Sequence, residues 1–204
     1  MKNILVTGGA GYIGCHIVEQ LVKKKSNIVY VLDNLSTGNK KLINPKSNFY
    51  KGDIKNLNLL KKIIKKHSIQ TIIHLAAHLN VSEAEREKIK YYKNNVTGTK
   101  NLLLACKNSK VNTIIFSSSC SVYGSVVGSV NEQKKTNPEG YYALTKFKGE
   151  ELIKNYSKKF NYNYGILRYF NVAGASPSGK IGEIESSYGH LIKNIAIQSL
   201  KRKP

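Results

Sequence analysis

The chain has 204 residues, room for one sizeable core and little beyond it. Its apolar content of 41% excludes collagen-like, low-complexity and disordered classes, and no apolar run is long enough to cross a bilayer. A net charge of +21 raises the question of a nucleic-acid partner, but the lysines are spread through every segment and their longest run is three, Lys23 to Lys25, so no specific nucleic acid is expected.

In chain order, "NILVTG" (3–8) reads as a buried strand, and residues 12–24 as a helix with Ile13, Ile17, Val18 and Leu21 on one face. "IVYVLD" (28–33) is a second strand, "NFYKGDI" (48–54) holds a short third, and 57–67 is an amphipathic helix. "TIIHLAA" (71–77) is a strand, and residues 84–109 are helical with Gly98 as the interruption. "VNTIIFSSS" (111–119) is a strand followed by a loop rich in Ser and Gly. Residues 141–159 form a helix and 162–172 a strand. A Gly, Ser and Pro-rich loop (174–187) then leads to a helix over 187–202. Alternating short apolar strands and helices predict an α/β fold, a Rossmann-like doubly wound parallel sheet with helices on both faces. Ligands of such sheets sit at the carboxyl ends of the strands.

"TGGAGYIG" lies where that rule points, between the first strand and first helix, with glycines at 8, 9, 11 and 14. Gly8 permits a tight turn, Gly11 lets a pyrophosphate approach backbone N–H groups, and Gly14 lets the helix pack closely on the sheet. The second strand ends in Asp33, 19 residues past Gly14, where a carboxylate accepts both adenosine ribose hydroxyls and repels a 2′-phosphate. NAD is therefore expected over NADP. Asp53 in "GDI" is placed to hold the adenine amino group, and the small residues of "HLAA" leave room for the cofactor's flat groups.

Tyr142 and Lys146 in "YYALTK" are four apart on a helix and share a face, while Tyr141 points roughly 100° away. A free tyrosine, with a pKa of about 10, is a poor base at neutral pH. A lysine ammonium together with a positive nicotinamide ring would bring it into range. A base for the hydroxyl proton and a donor to hold the alcohol oxygen are what hydride transfer from a secondary alcohol requires, and "FSSSCSVYG" (116–124) supplies serines at a strand end. His74 and His78 lack a third ligand, so no metal is expected. Cys15, Cys106 and Cys120 cannot all pair and lack metal-ligand spacing, which suits a reducing, cytoplasmic compartment. The N-terminus shows no signal-peptide cleavage site.

These motifs, with "VLDNLSTG", "YYKNNVTGT" and "ILRYFNVAGASPSG", resemble the extended short-chain dehydrogenase/reductase superfamily, and within it the UDP-glucose (UDP-galactose) 4-epimerases. Dehydratases of the superfamily carry an Asp-Glu pair where this chain has Cys120 and Ser121, and decarboxylases a Glu; neither Cys nor Ser serves as a carboxylic acid. The resemblance implies NAD-dependent 4-epimerisation of a UDP-hexose through a transient 4-keto sugar, with Tyr142 as base, Lys146 as its partner and Ser119 holding the 4-hydroxyl. It implies a cofactor site lined by Gly8, Gly11, Tyr12, Ile13, Gly14, Asp33, Asn34, Asp53, Ile54, Leu75, Ala76, Asn94, Tyr142, Lys146 and Tyr169. Phe170 and Asn171 would begin the UDP-sugar site, and His190 is either a donor to the diphosphate or an ordinary loop histidine. The chain departs from the family at Leu79, where many epimerases have lysine, and in its length. The expected organisation is an NAD domain (1–172) and the beginning of a truncated substrate-binding region (173–204). The alternatives are another NAD-dependent nucleotide-sugar oxidoreductase or an inactive NAD-binding remnant. The family also implies a homodimer paired through helices near 90–107 and 141–159.

Overall fold

In the computed structural model, residues 1–184 and 190–201 are described. Six strands form one sheet: β1 (Lys2–Thr7), β2 (Asn27–Asp33), β3 (Asn48–Lys51), β4 (Thr71–His74), β5 (Thr113–Ser119) and β6 (Asn163–Tyr169). Their order is β3-β2-β1-β4-β5-β6 and every pairing is parallel, the doubly wound arrangement expected.

The helices are α1 (Tyr12–Lys23), α2 (Leu57–Lys66), α3 (Val81–Arg86), α4 (Lys88–Tyr91), α5 (Gly98–Cys106), α6 (Tyr141–Phe160) and α7 (Leu191–Lys201). Period-2 alternation decides which face each helix covers. Ile4, Val6, Val29 and Val31 pack with Val18 of α1 on one face of the sheet. Leu5 and Leu32 point the other way, into a larger cluster with Leu60, Ile63 and Ile64 of α2, Leu102 and Leu103 of α5, and Ile153 of α6. The three α2 side chains are almost wholly buried, and each contributes about 1.5–3 kcal/mol relative to exposure.

Element boundaries depart from expectation for identifiable reasons. β6 stops at Tyr169 and not at 172, because its partner β5 ends at Ser119, opposite Tyr169. β4 ends at His74 and not at 77, because the chain then turns against the glycine loop, where Ala76 N lies 2.7 Å from a Cβ built on Gly8. The helical region starts at Val81, and its break falls at Glu87 (φ −108, ψ 46), where Gly98 had been expected to interrupt it. Gly98 is fully helical (φ −60, ψ −45), and its lack of a side chain makes room for Ile54, whose Cδ1 would lie 2.6 Å from a Cβ there. A π-helical turn over Tyr92–Thr97 joins α4 to α5. The expected tail helix is present from Leu191; residues 187–189 and 202 lie outside the described residues.

The β1–α1 turn is a tight junction. Gly8 has φ +75, and a Cβ on Gly14 would lie 2.2 Å from the Gly8 carbonyl oxygen. Backbone sits on both sides of that contact, so no side chain can yield. Gly14→Ala is expected to destabilise the fold by about 1–3 kcal/mol, read as a lowered urea midpoint; an unchanged midpoint would show that the turn relaxes freely.

Candidate active site

Because all six strands are parallel, their carboxyl ends share one edge, and the motifs collect there. Gly11 caps α1 without a side-chain hydrogen bond, so the first-turn amides of α1 have no side-chain partner. Such a terminus favours an anion, and the glycine loop leaves it uncovered by side chains. Asp33, 8% exposed, lies beside that loop: its Oδ2 accepts from Ala10 N at 3.0 Å and its Oδ1 from Leu35 N at 2.8 Å. Each oxygen keeps a further lone pair for a hydroxyl. At the next strand end, Asp53 accepts from Asn34 Nδ2 (3.1 Å) and Lys55 N (2.8 Å). Burial pushes this carboxyl up, but those hydrogen bonds and the Lys55 charge outweigh it and hold it below the usual range. A dinucleotide with phosphate, ribose and adenine fits this cradle.

The chemical residues meet between β5 and α6. The Ser119 side chain acts on the Tyr142 phenol and favours its ionisation, and Ser119 Oγ accepts from Ser121 N (3.2 Å) and from the Ser121 hydroxyl (2.8 Å). Lys146 is 3% exposed; its Nζ donates to the Ser117 carbonyl at 2.8 Å and lies 5.9 Å from the Tyr142 ring centroid. Burial pulls the Lys146 ammonium down to about 8. Burial also pushes the Tyr142 phenol up to about 12, with the Ser119 hydrogen bond opposing it. The expected lowering of Tyr142 by Lys146 is therefore not what the protein's own groups produce. Desolvation dominates, and the opposing influence comes from Ser119. Tyr141 is directed elsewhere, with its amide donating to Glu85 Oε1 and its ring 5.7 Å from Lys88 Nζ.

Beneath these residues lie two buried polar networks that the motifs did not reveal. Glu150, one helical turn beyond Lys146, is wholly buried; it accepts from the Ser118 hydroxyl at 2.6 Å and from Arg168 at 2.9 and 2.7 Å. Arg168 in turn covers the Tyr123 ring at 4.7 Å. Spacing could have found Glu150, at i+8 from Tyr142 on the same helical face. In the second network His74 Nδ1 bonds Thr7 Oγ1 (2.7 Å) and Nε2 bonds Thr99 Oγ1 (2.9 Å), so both ring nitrogens are engaged. The Thr99 hydroxyl reaches the Asn95 carbonyl (2.6 Å), and Asn95 Nδ2 reaches Thr145 of α6 (3.2 Å).

The remaining expected residues divide into four groups. Leu75 and Ala76 follow β4 directly, and Asn94 is buried in the π-helical turn beside Asn95. Ile54 is 4% exposed with its side chain committed to the core against Gly98, so a cofactor would meet its backbone. Tyr12 hydrogen-bonds the Gly174 carbonyl (2.7 Å) at the rim of a cavity of about 260 Å³ lined by Ile13, His16 and Ala173, and Tyr169 ends β6. Phe170 is 66% exposed, Asn171 is exposed, and His190 pairs with Glu183 at 2.5 Å.

A doubly wound parallel sheet, a glycine turn opening a helix and a Ser-Tyr-Lys cluster together define a dinucleotide-dependent enzyme fold. The chain belongs to the NAD dependent epimerase/dehydratase family, whose pattern matches residues 4–203. It is 44% identical over 194 residues to the UDP-glucose 4-epimerase of Lactobacillus helveticus, covering 95% of this chain and 58% of that protein. Among solved structures, the UDP-glucose 4-epimerase from Brucella ovis in complex with NAD is 37% identical with a TM-score of 0.90, over 95% of this chain and 59% of that one. The Bifidobacterium longum enzyme in complex with NAD+ and UDP is 31% identical with a TM-score of 0.83, over 89% and 57%. The chain thus spans somewhat less than three fifths of the length of these relatives.

His74 gives the site a pH signature. Burial, and then the Lys146 charge, lower its imidazole from 6.5 to about 3. A depressed folded value means that the stability it contributes is present above pH 6.5 and is lost as pH falls toward 3. Unfolding free energies of the wild type from urea titrations should therefore fall faster than those of His74→Asn between pH 6.5 and 4, by on the order of 1 kcal/mol per pH unit. Parallel curves would mean that His74 is not held neutral.

Proposed function

We propose that this chain carries the NAD site and the acid–base group of a UDP-hexose 4-epimerase acting through a transient 4-keto sugar. The observation that carries this reading is the Ser119–Tyr142–Lys146 cluster at the end of β5, with Cys120 and Ser121 where a dehydratase would need carboxylic acids. Residues 1–172 would form the NAD unit and 173–204 the beginning of the substrate-binding region, in keeping with β6, the last strand among the described residues, ending at Tyr169.

In this proposal Gly8, Gly11, Tyr12, Ile13 and Gly14 hold the pyrophosphate, Asp33 the ribose, and Asn34 and Asp53 the adenine side. NAD held there would supply a hydride acceptor and donor for C4 and a positive ring that would favour the phenolate. Tyr142 removes the proton from O4 and later returns it, with Ser119 holding that oxygen and Lys146 adding positive charge beside the ring. Phe170, Asn171 and His190 would meet the UDP portion. Their exposure favours, as the second reading, a dinucleotide-binding module that lacks a firm grip on the sugar nucleotide. We place the protein in the cytoplasm, where its free thiols Cys15, Cys106 and Cys120 would stay reduced; among the described residues no helix is long and apolar enough to cross a membrane. A homodimer through α4–α5 and α6 is part of the same reading; Ile89, 71% exposed, and Tyr92, 42% exposed, lie on that side.

Purified protein should carry NAD, detected by enzymatic cycling after acid release. UDP-galactose should reduce the bound NAD, read at 340 nm, and Tyr142→Phe should slow this by about 100-fold or more without lowering NAD content. Bound NAD with no reduction in the wild type would favour the binding module, and no NAD at all would sink both readings. Sedimentation velocity should show a dimer that Ile89→Glu converts to monomer; a wild-type monomer would remove the pairing.

A further inference from the structure

We propose that Ser121 is a positioning residue that fixes the direction of the Ser119 hydroxyl, so that its proton points at Tyr142 and at the oxygen that reacts there. The proposal rests on Tyr142 as the acid–base group and adds what orients its partner. A serine hydroxyl has one proton to donate and two acceptor positions. Ser119 fills both acceptor positions from one neighbour: the Ser121 amide at 3.2 Å and the Ser121 hydroxyl at 2.8 Å. What Ser119 has left is its own proton, and the neighbouring side chain that it influences is the Tyr142 phenol, whose ionisation it favours.

That direction decides which form of Tyr142 is favoured. A serine that donates stabilises the phenolate, whereas a serine that accepts from the phenol stabilises the neutral form and opposes ionisation. Without the Ser121 hydroxyl, one acceptor position on Ser119 opens and the reversed hydrogen bond becomes available. Neighbouring serines cannot take over, because the Ser118 hydroxyl is bound to Glu150 at 2.6 Å and the Ser117 carbonyl to Lys146 at 2.8 Å. The turn Cys120–Tyr123 fixes the arrangement: Ser119, in extended conformation (φ −149, ψ 148), caps it through this contact to the Ser121 amide. The other groups facing Tyr142 are untouched by a change at 121. They are Lys146 on its own helix, with His74 of β4 acting on Lys146, and Cys120 on the turn; Glu85 of α3 and Lys88 of α4 meet Tyr141 instead.

The test is titration of the Tyr142 phenol in the whole chain labelled with [13Cζ]tyrosine, its resonance assigned by Tyr142→Phe. Ser121→Ala should move the ionisation upward by about 0.5–1 pH unit, and Ser121→Thr, which keeps the hydroxyl, should restore it. Thermal melting of both variants near the wild-type value separates this from a loss of fold. In UDP-galactose-dependent NAD reduction, the acid-side limb of the pH–rate profile, where activity rises as Tyr142 ionises, should shift upward by the same amount in Ser121→Ala, with KM unchanged. An unmoved titration in Ser121→Ala, or Ser121→Thr behaving like alanine, would overturn the assignment. A wild type that never reduces NAD would instead count against the epimerase reading, and the titration would still decide the role of Ser121.

Discussion

Glu150 sits with its side chain fully buried in the middle of α6, where an ionised carboxylate costs several kcal/mol unless paired and hydrogen-bonded. Arg168 grips it with two nitrogens and Ser118 adds a third donor, which satisfies the charge and ties three elements into one body. Each anchor is the immediate neighbour of a proposed functional residue: Ser118 precedes Ser119 on β5, and Arg168 precedes Tyr169 on β6. On α6 the same helical face carries Tyr142, Lys146 and Glu150 at intervals of four. Holding Glu150 therefore sets the rotation of the helix, and with it where Tyr142 meets Ser119.

The opposite side of the site is held without charge. Gly8 and Gly14 allow backbone to lie against backbone, which brings α1's uncapped amides to the sheet edge beside Asp33. Between the two sides runs the Thr7–His74–Thr99–Asn95–Thr145 chain, from β1 through β4 and the π-helical turn to α6. A neutral imidazole suits this position because it can donate at one nitrogen and accept at the other. A charged one would add a second cation near Lys146 in a buried region.

The sheet, its order-defining alternation of strands and helices, and the Gly–Asp33–Ser119–Tyr142–Lys146 set were legible because each depends on local periodicity or on residues next to a strand end. Strand lengths were less legible: the limits of β3 and β6 are set by where β2 and β5 stop, which is a tertiary fact. The misplacement at Gly98 has the same origin. Glycine was read as a helix breaker, but here it serves the packing of Ile54, and the break fell at Glu87, which carries no sequence signal. Glu150, Arg168 and Asn95 escaped because their partners lie 18 to 50 residues away. Ser121 was noticed for the acid it replaces and not for its hydroxyl, whose role depends on the turn that folds it back onto Ser119.

Tyr142 also shows why a motif does not by itself give a chemical state. Lys146 is at the expected helical spacing, yet its ammonium is spent on the Ser117 carbonyl and its own proton is loosened by burial. A phenol pushed up to about 12 stays protonated at neutral pH, so the folded chain stores its base in the unreactive form. In the proposed reaction that is an advantage: a buried phenolate with no positive ring nearby would be an uncompensated charge, costly to the fold. A donor from Ser119 would lower the cost of ionisation without adding charge, and a bound cationic ring would supply the rest. On the proposed reading, base strength would thereby be coupled to cofactor occupancy through desolvation, with the serine turn setting how much further the balance must move.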